Sequence, residues 1–214
     1  MILNIVKPKG WSSFDVVKKV RGITRHKKVG HAGTLDPFAT GVLIIGTEKD
    51  TKKLGQISSN YKTYEATLKL GETTNTLDID GEIVNSLIIP KLTSNEINEI
   101  LKSFLGNSLQ IPPMFSAKKY KGIRLYKLAR KGIEVKRKPI IINIKKIDLI
   151  SFKKNSIKFS VECSKGTYVR VLGENIAQKL NTIGYLSALK RIKVGNFDIS
   201  NSITIQALEE KWKF

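Results

Sequence analysis

The stretch GHAGTLDPFATGVLII, residues 30–45, joins an irregular segment to an apolar one. Its end, GVLII, is a continuous apolar run of the kind that forms a buried strand. Its beginning belongs to a longer segment, residues 24–39, that follows neither the helical nor the strand period and holds both histidines. Irregular segments of this length in compact domains are usually functional or disordered. The clear elements on either side favour a functional loop.

The one acid in this stretch is Asp36, which stands directly before a proline. The residue before a proline is disfavoured in the α region, so Asp36 is expected to be extended or in a turn. An Asp-Pro dipeptide is also ordinary turn punctuation. From the loop alone, a solvated surface turn and a functional carboxylate are both open.

Composition limits the class of protein. The chain has 214 residues, 41% of them hydrophobic, which is enough for one globular domain or for one domain with a small lobe. No apolar run approaches the roughly 20 residues that span a membrane, and the beginning of the chain does not resemble a secretory signal. A single cysteine, Cys163, excludes an internal disulfide framework and indicates a reducing compartment.

The net charge is +20, from 38 Lys and Arg against 18 Asp and Glu. A charge of this size favours a polyanionic partner, most commonly nucleic acid. The abundance of Lys, Ile and Asn also fits a bias in genome base composition. Charge alone therefore only raises the expectation of nucleic-acid binding.

Hydrophobic periodicity predicts strands and helices without strict βαβ alternation, so the predicted class is α+β around a mixed sheet. One pattern bears on function: KTYEATLKLGE, residues 62–72, alternates so that Tyr64 points to the buried side. Three helix starts are predicted from capping residues: Ser12 or Ser13, Thr93 or Ser94, and Thr167. The other predicted elements are strands at residues 2–6, 41–45 and 157–163, a short helix at 50–57, and a loop at 110–122.

Several motifs can be excluded. The segment TLDIDGEIV, residues 76–84, lacks the terminal ligands of an EF-hand loop, and GVLIIGTE lacks the lysine of a P-loop. One cysteine and two histidines do not make a zinc site of the usual composition. Cys163 lies on the apolar face of an alternating strand, which favours core packing. We therefore expect no metal and no cofactor.

The loop around Asp36 resembles the central motif of the TruB family of tRNA pseudouridine synthases, GxxGTLDPxAxGxL, in which the aspartate is catalytic. Further segments match that family in the same order and cover nearly the whole chain. They are KPKGWSS (7–13), YEATLKLGETTNTLDIDG (64–81), QIPPMFSAKKYKGIRLYKLARKGIEV (110–135), CSKGTYVR (163–170) and LSALKRI (186–192).

The resemblance implies a pseudouridine synthase fold, with a mixed, largely antiparallel central sheet flanked by helices. It implies isomerisation of the T-loop uridine of tRNA, position 55, with Asp36 acting at the sugar, either as nucleophile at C1′ or as base at C2′. It also implies that Arg170 is the partner of this carboxylate. An arginine suits that role because it stays charged and presents a planar fork. Tyr64 is implied to stack on the target uracil.

The same resemblance assigns residues to RNA binding. His31 corresponds to the histidine beside the extruded nucleotide, and Leu189 to the apolar residue that packs against the pocket, although Leu189 fits core packing equally well. The expected phosphate contacts are lysines near the motifs and the basic residues of the segment 124–131. These lysines are Lys7, Lys9, Lys118 and Lys119.

Two features depart from the family pattern. Asn75 stands where the family usually has an acid, which bears on the hydrogen bonding of its loop. The chain is also expected to form a single catalytic domain, residues 1–214, without the small C-terminal RNA-binding (PUA-like) domain that bacterial members commonly have. The high basic charge is then expected to supply part of the grip on tRNA.

Two functions of different class fit these features: a cytoplasmic enzyme that modifies the T-arm stem-loop of tRNA without an obligate protein partner, or an RNA-binding module that folds tRNA on the same scaffold. Asp36, Tyr64 and Arg170 favour the enzyme, because binding alone does not require them. A narrower alternative is a guide-RNA-dependent relative acting on ribosomal RNA. Such relatives carry extra segments for protein partners, which a chain of 214 residues has little room for.

Overall fold

The structure is a computed structural model that describes residues 1–212. Its strands are β1 Ile2–Lys7, β2 Val29–Ala32, β3 Thr40–Thr47, β4 Lys62–Leu70, β5 Glu72–Thr74, β6 Ile83–Ser86, β7 Gly106–Gln110, β8 Lys119–Tyr120, β9 Ile123–Arg124, β10 Ile140–Lys153, β11 Ser156–Cys163, β12 Gly184–Val194 and β13 Phe197–Asp198. Its α-helices are α1 Ser13–Thr24, α2 Leu54–Ser59, α3 Ser94–Lys102, α4 Leu125–Ala129, α5 Val169–Lys179 and α6 Ile205–Lys211. Two short 3₁₀ helices cover Glu48–Lys53 and Ile199–Asn201.

The contacts of the chain divide it into two compact units. The first comprises Met1–Glu65 and Leu189–Phe214, and the second comprises Ala66–Ala188. Because β4 and β12 each span one of these boundaries, the division falls inside strands and not in linkers.

In the first unit, β3 is paired on two sides. It runs antiparallel to β1, with Ile5 opposite Leu43, and parallel to β12, with Arg191 opposite Gly41. Helix α1 buries its valine stripe in a cluster with the strand residues Ile5, Leu43 and Ile45. The predicted strand at residues 41–45 is therefore confirmed, and it is buried because α1 and the strands that pair with β3 surround it.

In the second unit, β10 pairs antiparallel with β11 and with β7. The parallel β3–β12 pair and these antiparallel pairs together confirm the predicted α+β class with a mixed, largely antiparallel sheet. Alternation along β11 buries Cys163, as the sequence predicted. The same period in β4 buries Tyr64, Ala66, Leu68 and Leu70.

Two of the three capping predictions are confirmed. Ser12 caps α1 and Thr93 caps α3, each in a reciprocal capping box with an acid three residues on. The third is wrong: Thr167 does not cap α5, and its hydroxyl donates to the Ser164 carbonyl at 3.0 Å. The N-cap is Tyr168, whose backbone N–H donates to the side chain of Gln110 at 2.8 Å. A residue 58 positions away satisfies this helix end, which no local pattern indicates.

Residues 24–39 are less irregular than the sequence predicts, because Val29–Ala32 forms β2. This strand pairs antiparallel with β3, with His31 opposite Ile45. Four residues with one glycine are too short to display a period, and their extended backbone is fixed by the pairing with β3. The predicted loop at 110–122 similarly contains the short strand β8. Among the described residues, no helix has the length and hydropathy needed to cross a bilayer.

Gly41 offers a test of the close packing in the first unit. It has φ +104, and a Cβ atom there would overlap the Arg191 carbonyl oxygen. Gly41→Ala should therefore lower the free energy of unfolding by about 3 kcal/mol or more, from backbone strain and overpacking. Urea denaturation followed by circular dichroism measures this change.

Gly55→Ala is the matched control. Gly55 lies in α2 with no atom within 4 Å of an added Cβ. Alanine there should leave the free energy of unfolding unchanged or raise it by about 0.5–1 kcal/mol, because glycine is a poor helix former. Equal effects of the two substitutions would contradict the close backbone contact at Gly41.

Candidate active site

The loop between β2 and β3 presents Asp36 between buried anchors. Leu35, Phe38 and Ala39 are buried, whereas Asp36 is half-buried. The Ala39 N–H donates to the Asp36 carbonyl at 3.1 Å, which closes a tight turn around the following proline. The buried apolar side chains fix the loop, whereas Asp36 stays partly exposed.

The turn before α1 holds the middle of this loop. The Ser13 hydroxyl accepts from the Leu35 N–H at 2.8 Å and donates to the Leu35 carbonyl at 3.2 Å. The Gly10 N–H donates to the Pro37 carbonyl at 2.9 Å. The motif at residues 7–13 is thus a backbone partner of the Asp36 loop, which explains why the chain carries both motifs.

Lys7 corrects the sequence interpretation. It was predicted to contact RNA phosphate, but its residue is 0% exposed. Its ammonium group donates to the carbonyls of Pro8 at 2.9 Å, Trp11 at 2.5 Å and Pro37 at 3.2 Å. An ammonium group has three N–H donors, and these three carbonyls match them. Lys7 therefore fastens the Asp36 loop from inside and cannot reach a phosphate on the surface.

The other predicted pocket residues of the first unit lie on its strands. Tyr64 is buried near the beginning of β4, and Leu189 is buried on β12. His31 is half-buried on β2, five residues before Asp36. Lys9 is exposed in the turn that precedes α1.

Arg170 lies in the second unit, at the beginning of α5, and it is 3% exposed. Its guanidinium forms an ion pair with Asp78, with the Nη1–Oδ2 distance at 3.2 Å. It also donates to the Thr76 carbonyl at 2.6 Å and to the Phe115 carbonyl at 2.8 Å. Arg170 is therefore a buried cation and not a surface charge, and its contacts fix the direction of its planar fork.

The sequence analysis did not single out Asp78. Its carboxylate also accepts from the Thr76 hydroxyl at 2.7 Å and from the Asp80 N–H at 3.1 Å. The signal was present, since Asp78 lies in the matched segment 64–81 in a row of apparent calcium ligands. Its ion pair with Arg170 accounts for the burial of this acid.

The departure at Asn75 has a structural explanation. The side-chain oxygen of Asn75 accepts from the Glu82 N–H at 3.2 Å, and its backbone N–H donates to the Glu82 carbonyl at 3.1 Å. An aspartate there would serve as the same acceptor. The amide therefore preserves the hydrogen bonding of this loop.

The second unit also carries a basic hairpin, β8–β9. Lys118 and Lys119 are exposed there, and Lys119 pairs with Arg124 across the hairpin. Arg124, Lys127, Arg130 and Lys131 are exposed around α4. Their exposure leaves these cations available to a polyanion.

Sequence reasoning also missed two buried cations in the first unit, Lys62 and Arg191. The Lys62 ammonium donates to the carbonyls of Ser58 at 2.6 Å and Asn60 at 2.7 Å. Arg191 was quoted only as part of the matched segment 186–192. The sequence signal for its burial was the position of Arg191 within the largely apolar strand β12.

Known proteins with similar sequences share one family. The family described as "TruB family pseudouridylate synthase (N terminal domain)" matches residues 21–169. A protein of Clostridium kluyveri named tRNA pseudouridine synthase B is 47% identical over 210 residues, covering 98% of this chain and 72% of that protein. A protein of the same name from Dehalococcoides mccartyi is 44% identical, covering 97% of this chain and 69% of that protein.

Solved structures agree with this fold. A chain in the crystal structure of a Cbf5-Nop10-Gar1 complex superposes with a TM-score of 0.77 at 26% identity, covering 98% of this chain and 53% of that chain. A chain in an H/ACA RNP bound to a substrate RNA has a TM-score of 0.73 at 23% identity, which supports the fold alone. The chain thus spans about half the length of these structures. With motifs, fold and sequence similarity in agreement, the chain belongs to the TruB family of pseudouridylate synthases.

Proposed function

We propose that this protein is a tRNA pseudouridine synthase that converts the T-loop uridine, position 55, to pseudouridine. The observation that carries the proposal is Asp36, which occupies the catalytic position of the family motif on a loop fixed by Ser13 and Lys7. Identities of 44–47% to proteins named tRNA pseudouridine synthase B support tRNA as the substrate. The 26% identity to the Cbf5 complex chain gives less support to a guide-dependent enzyme.

The reaction is an isomerisation, so no atom is gained or lost. The N1–C1′ bond of uridine breaks, the base rotates, and a C5–C1′ bond forms; C5 loses a proton and N1 gains one. In our proposal the Asp36 carboxylate acts at the sugar, as nucleophile at C1′ or as base at C2′. No cofactor is required by this balance.

Four other side chains complete the proposed site. Tyr64 stacks on the uracil, and its phenol is available to assist transfer of the C5 proton. Arg170 serves as the cationic partner of the Asp36 carboxylate, as the family resemblance implies. His31 and Leu189 border the extruded nucleotide, which must leave the loop stack at a cost of a few kcal/mol.

The exposed cations supply the grip on RNA in this proposal. Lys9, Lys118, Lys119 and the basic residues around α4 contact phosphates of the T-arm stem-loop, and no obligate protein partner is needed. The enzyme works in the cytoplasm, where tRNA is found. The alternative, an RNA-folding module without turnover, differs from this proposal in its dependence on Asp36.

Asp36→Asn should abolish pseudouridine formation and leave tRNA affinity within a few-fold, because it removes the reacting charge and keeps the shape of the side chain. Chemical mapping of pseudouridine in unmodified tRNA and a binding titration measure the two effects. Asp148→Asn, at an exposed aspartate of β10, is the matched control and should keep full activity. Turnover by the Asp36 variant above a small fraction of normal would refute the proposed role.

Arg170→Lys should lower the single-turnover rate by tenfold or more. An ammonium keeps the charge but cannot present a planar fork while also donating to the Thr76 and Phe115 carbonyls. The rate is measured at saturating tRNA, at a temperature where circular dichroism shows the variant folded. Arg21→Lys, at an exposed arginine of α1, is the control, and near-normal rates in both variants would remove Arg170 from the site.

Affinity for a T-arm stem-loop should depend steeply on salt. Each neutralised phosphate contributes about 0.9 to the negative log–log slope in a duplex and about 0.7 in a single strand, so about six contacts imply roughly a thousandfold loss between 50 and 200 mM salt. Replacing Lys118 and Lys119 by alanine should reduce the slope by about 1.4–1.8. The exposed pair Lys145 and Lys146, replaced in the same way, is the control, and an equal effect of both pairs would contradict the assignment.

A further inference from the structure

The two largest fully buried side chains of the described residues, Arg191 and Lys7, are both cations. Arg191 is 1% exposed on β12. Removing a guanidinium from water is costly unless its N–H groups find partners. Among residues 1–212, no carboxylate lies within ion-pair distance of Arg191. Its partners are backbone carbonyls, and their positions give its role.

These carbonyls belong to the two ends of the Asp36 loop. Arg191 Nε donates to the Val42 carbonyl at 2.7 Å. Its Nη2 donates to the Gly33 carbonyl at 3.0 Å, and its Nη1 lies 3.5 Å from the Thr34 carbonyl. One guanidinium thus joins the beginning and the end of the segment 33–42, with Asp36 between them.

Two glycines of the segment lie beside Arg191, and both have a positive φ that favours glycine. Gly33 has φ +84, and a Cβ atom there would lie 3.5 Å from Nη1 of Arg191 and 3.8 Å from Cε of Lys62. Gly41 has φ +104 and leaves no room for a Cβ atom beside the Arg191 backbone. The loop therefore closes directly on β12, with little freedom to shift without moving Arg191.

We propose that Arg191 is a positioning residue for Asp36, which holds both ends of the loop so that the carboxylate keeps its reactive position. This inference rests on the proposed function, in which Asp36 reacts at the sugar. Ser13 and Lys7 donate from their side chains to the middle of the loop, at the Leu35 and Pro37 carbonyls, whereas the Arg191 guanidinium donates near both ends. A shift of about 1 Å in a reacting group can lower a rate about a hundredfold, so a loop with loose ends would be folded but slow.

Lysine cannot replace this arginine, because a single ammonium cannot reach carbonyls at both ends of the loop in a fixed planar geometry. Arg191→Lys should therefore lower the single-turnover rate at saturating tRNA by about 10–100-fold, while the Kd for tRNA changes by less than about threefold. A core residue on the same strand, Val194, separates positioning from stability, since it is 0% exposed and its aliphatic side chain has no donor for a loop carbonyl.

Val194→Ala leaves a cavity in the core and lowers the melting temperature. At a temperature below both melting transitions, it should keep the rate within about twofold of the wild type. The proposal is overturned if Arg191→Lys slows the reaction no more than Val194→Ala, or if its whole defect lies in the Kd. Rescue provides a second readout: millimolar guanidinium should raise the rate of Arg191→Ala but not that of Asp36→Asn, and absence of rescue counts against the proposal.

Amide hydrogen exchange tests the loop without relying on activity. Exchange at residues 34–39 should be faster in Arg191→Lys than in Val194→Ala, because only the former loses the ties at both loop ends. If the wild type formed no pseudouridine, the proposed function would fail and exchange alone would decide the positioning role. Equal exchange in the two variants would overturn it.

Discussion

The Asp36 loop depends on one constraint: apart from the Asp36 carbonyl, which accepts from the Ala39 N–H, its paired carbonyls take their donors from outside the loop. Buried carbonyls need donors, and here Ser13, Gly10 and two cations supply them. Lys7 donates to the middle of the loop, and Arg191 donates to its ends. The elements that pack around β3 also carry these donors: Lys7 lies on β1, Ser13 on α1 and Arg191 on β12.

In the second unit, too, a buried cation donates to backbone carbonyls, but this cation is also paired with an acid. Arg170 is buried against an acid, Asp78, and against two carbonyls. Breaking a buried pair of this kind by removing one partner leaves an uncompensated charge. The loop of residues 75–82 is therefore as much a support for Arg170 as the turn before α1 is for Asp36.

Periodicity and capping residues predicted most of the fold, because β4, β11 and α1 each bury one regular face. The predictions that failed concern features that are fixed by residues far away in the sequence. The strand β2 is defined by β3, and the start of α5 is satisfied by Gln110. Lys7 was misread because a lysine beside proline and glycine has the composition of a surface turn, and its burial arises from carbonyls up to 30 residues away.

The distance along the chain between Arg191 and the Asp36 loop has a consequence for synthesis. Arg191 is 149 residues from Val42 in sequence. Chains grow at about 5–20 residues per second and fold from the N-terminus as they emerge. The nascent chain thus exposes Asp36 for roughly 10–30 seconds before the residue that closes its loop has been made. The ribosome-bound intermediate can contain folded elements of the first unit and still lack a closed Asp36 loop. This loop therefore closes late in translation, after β12 has been made.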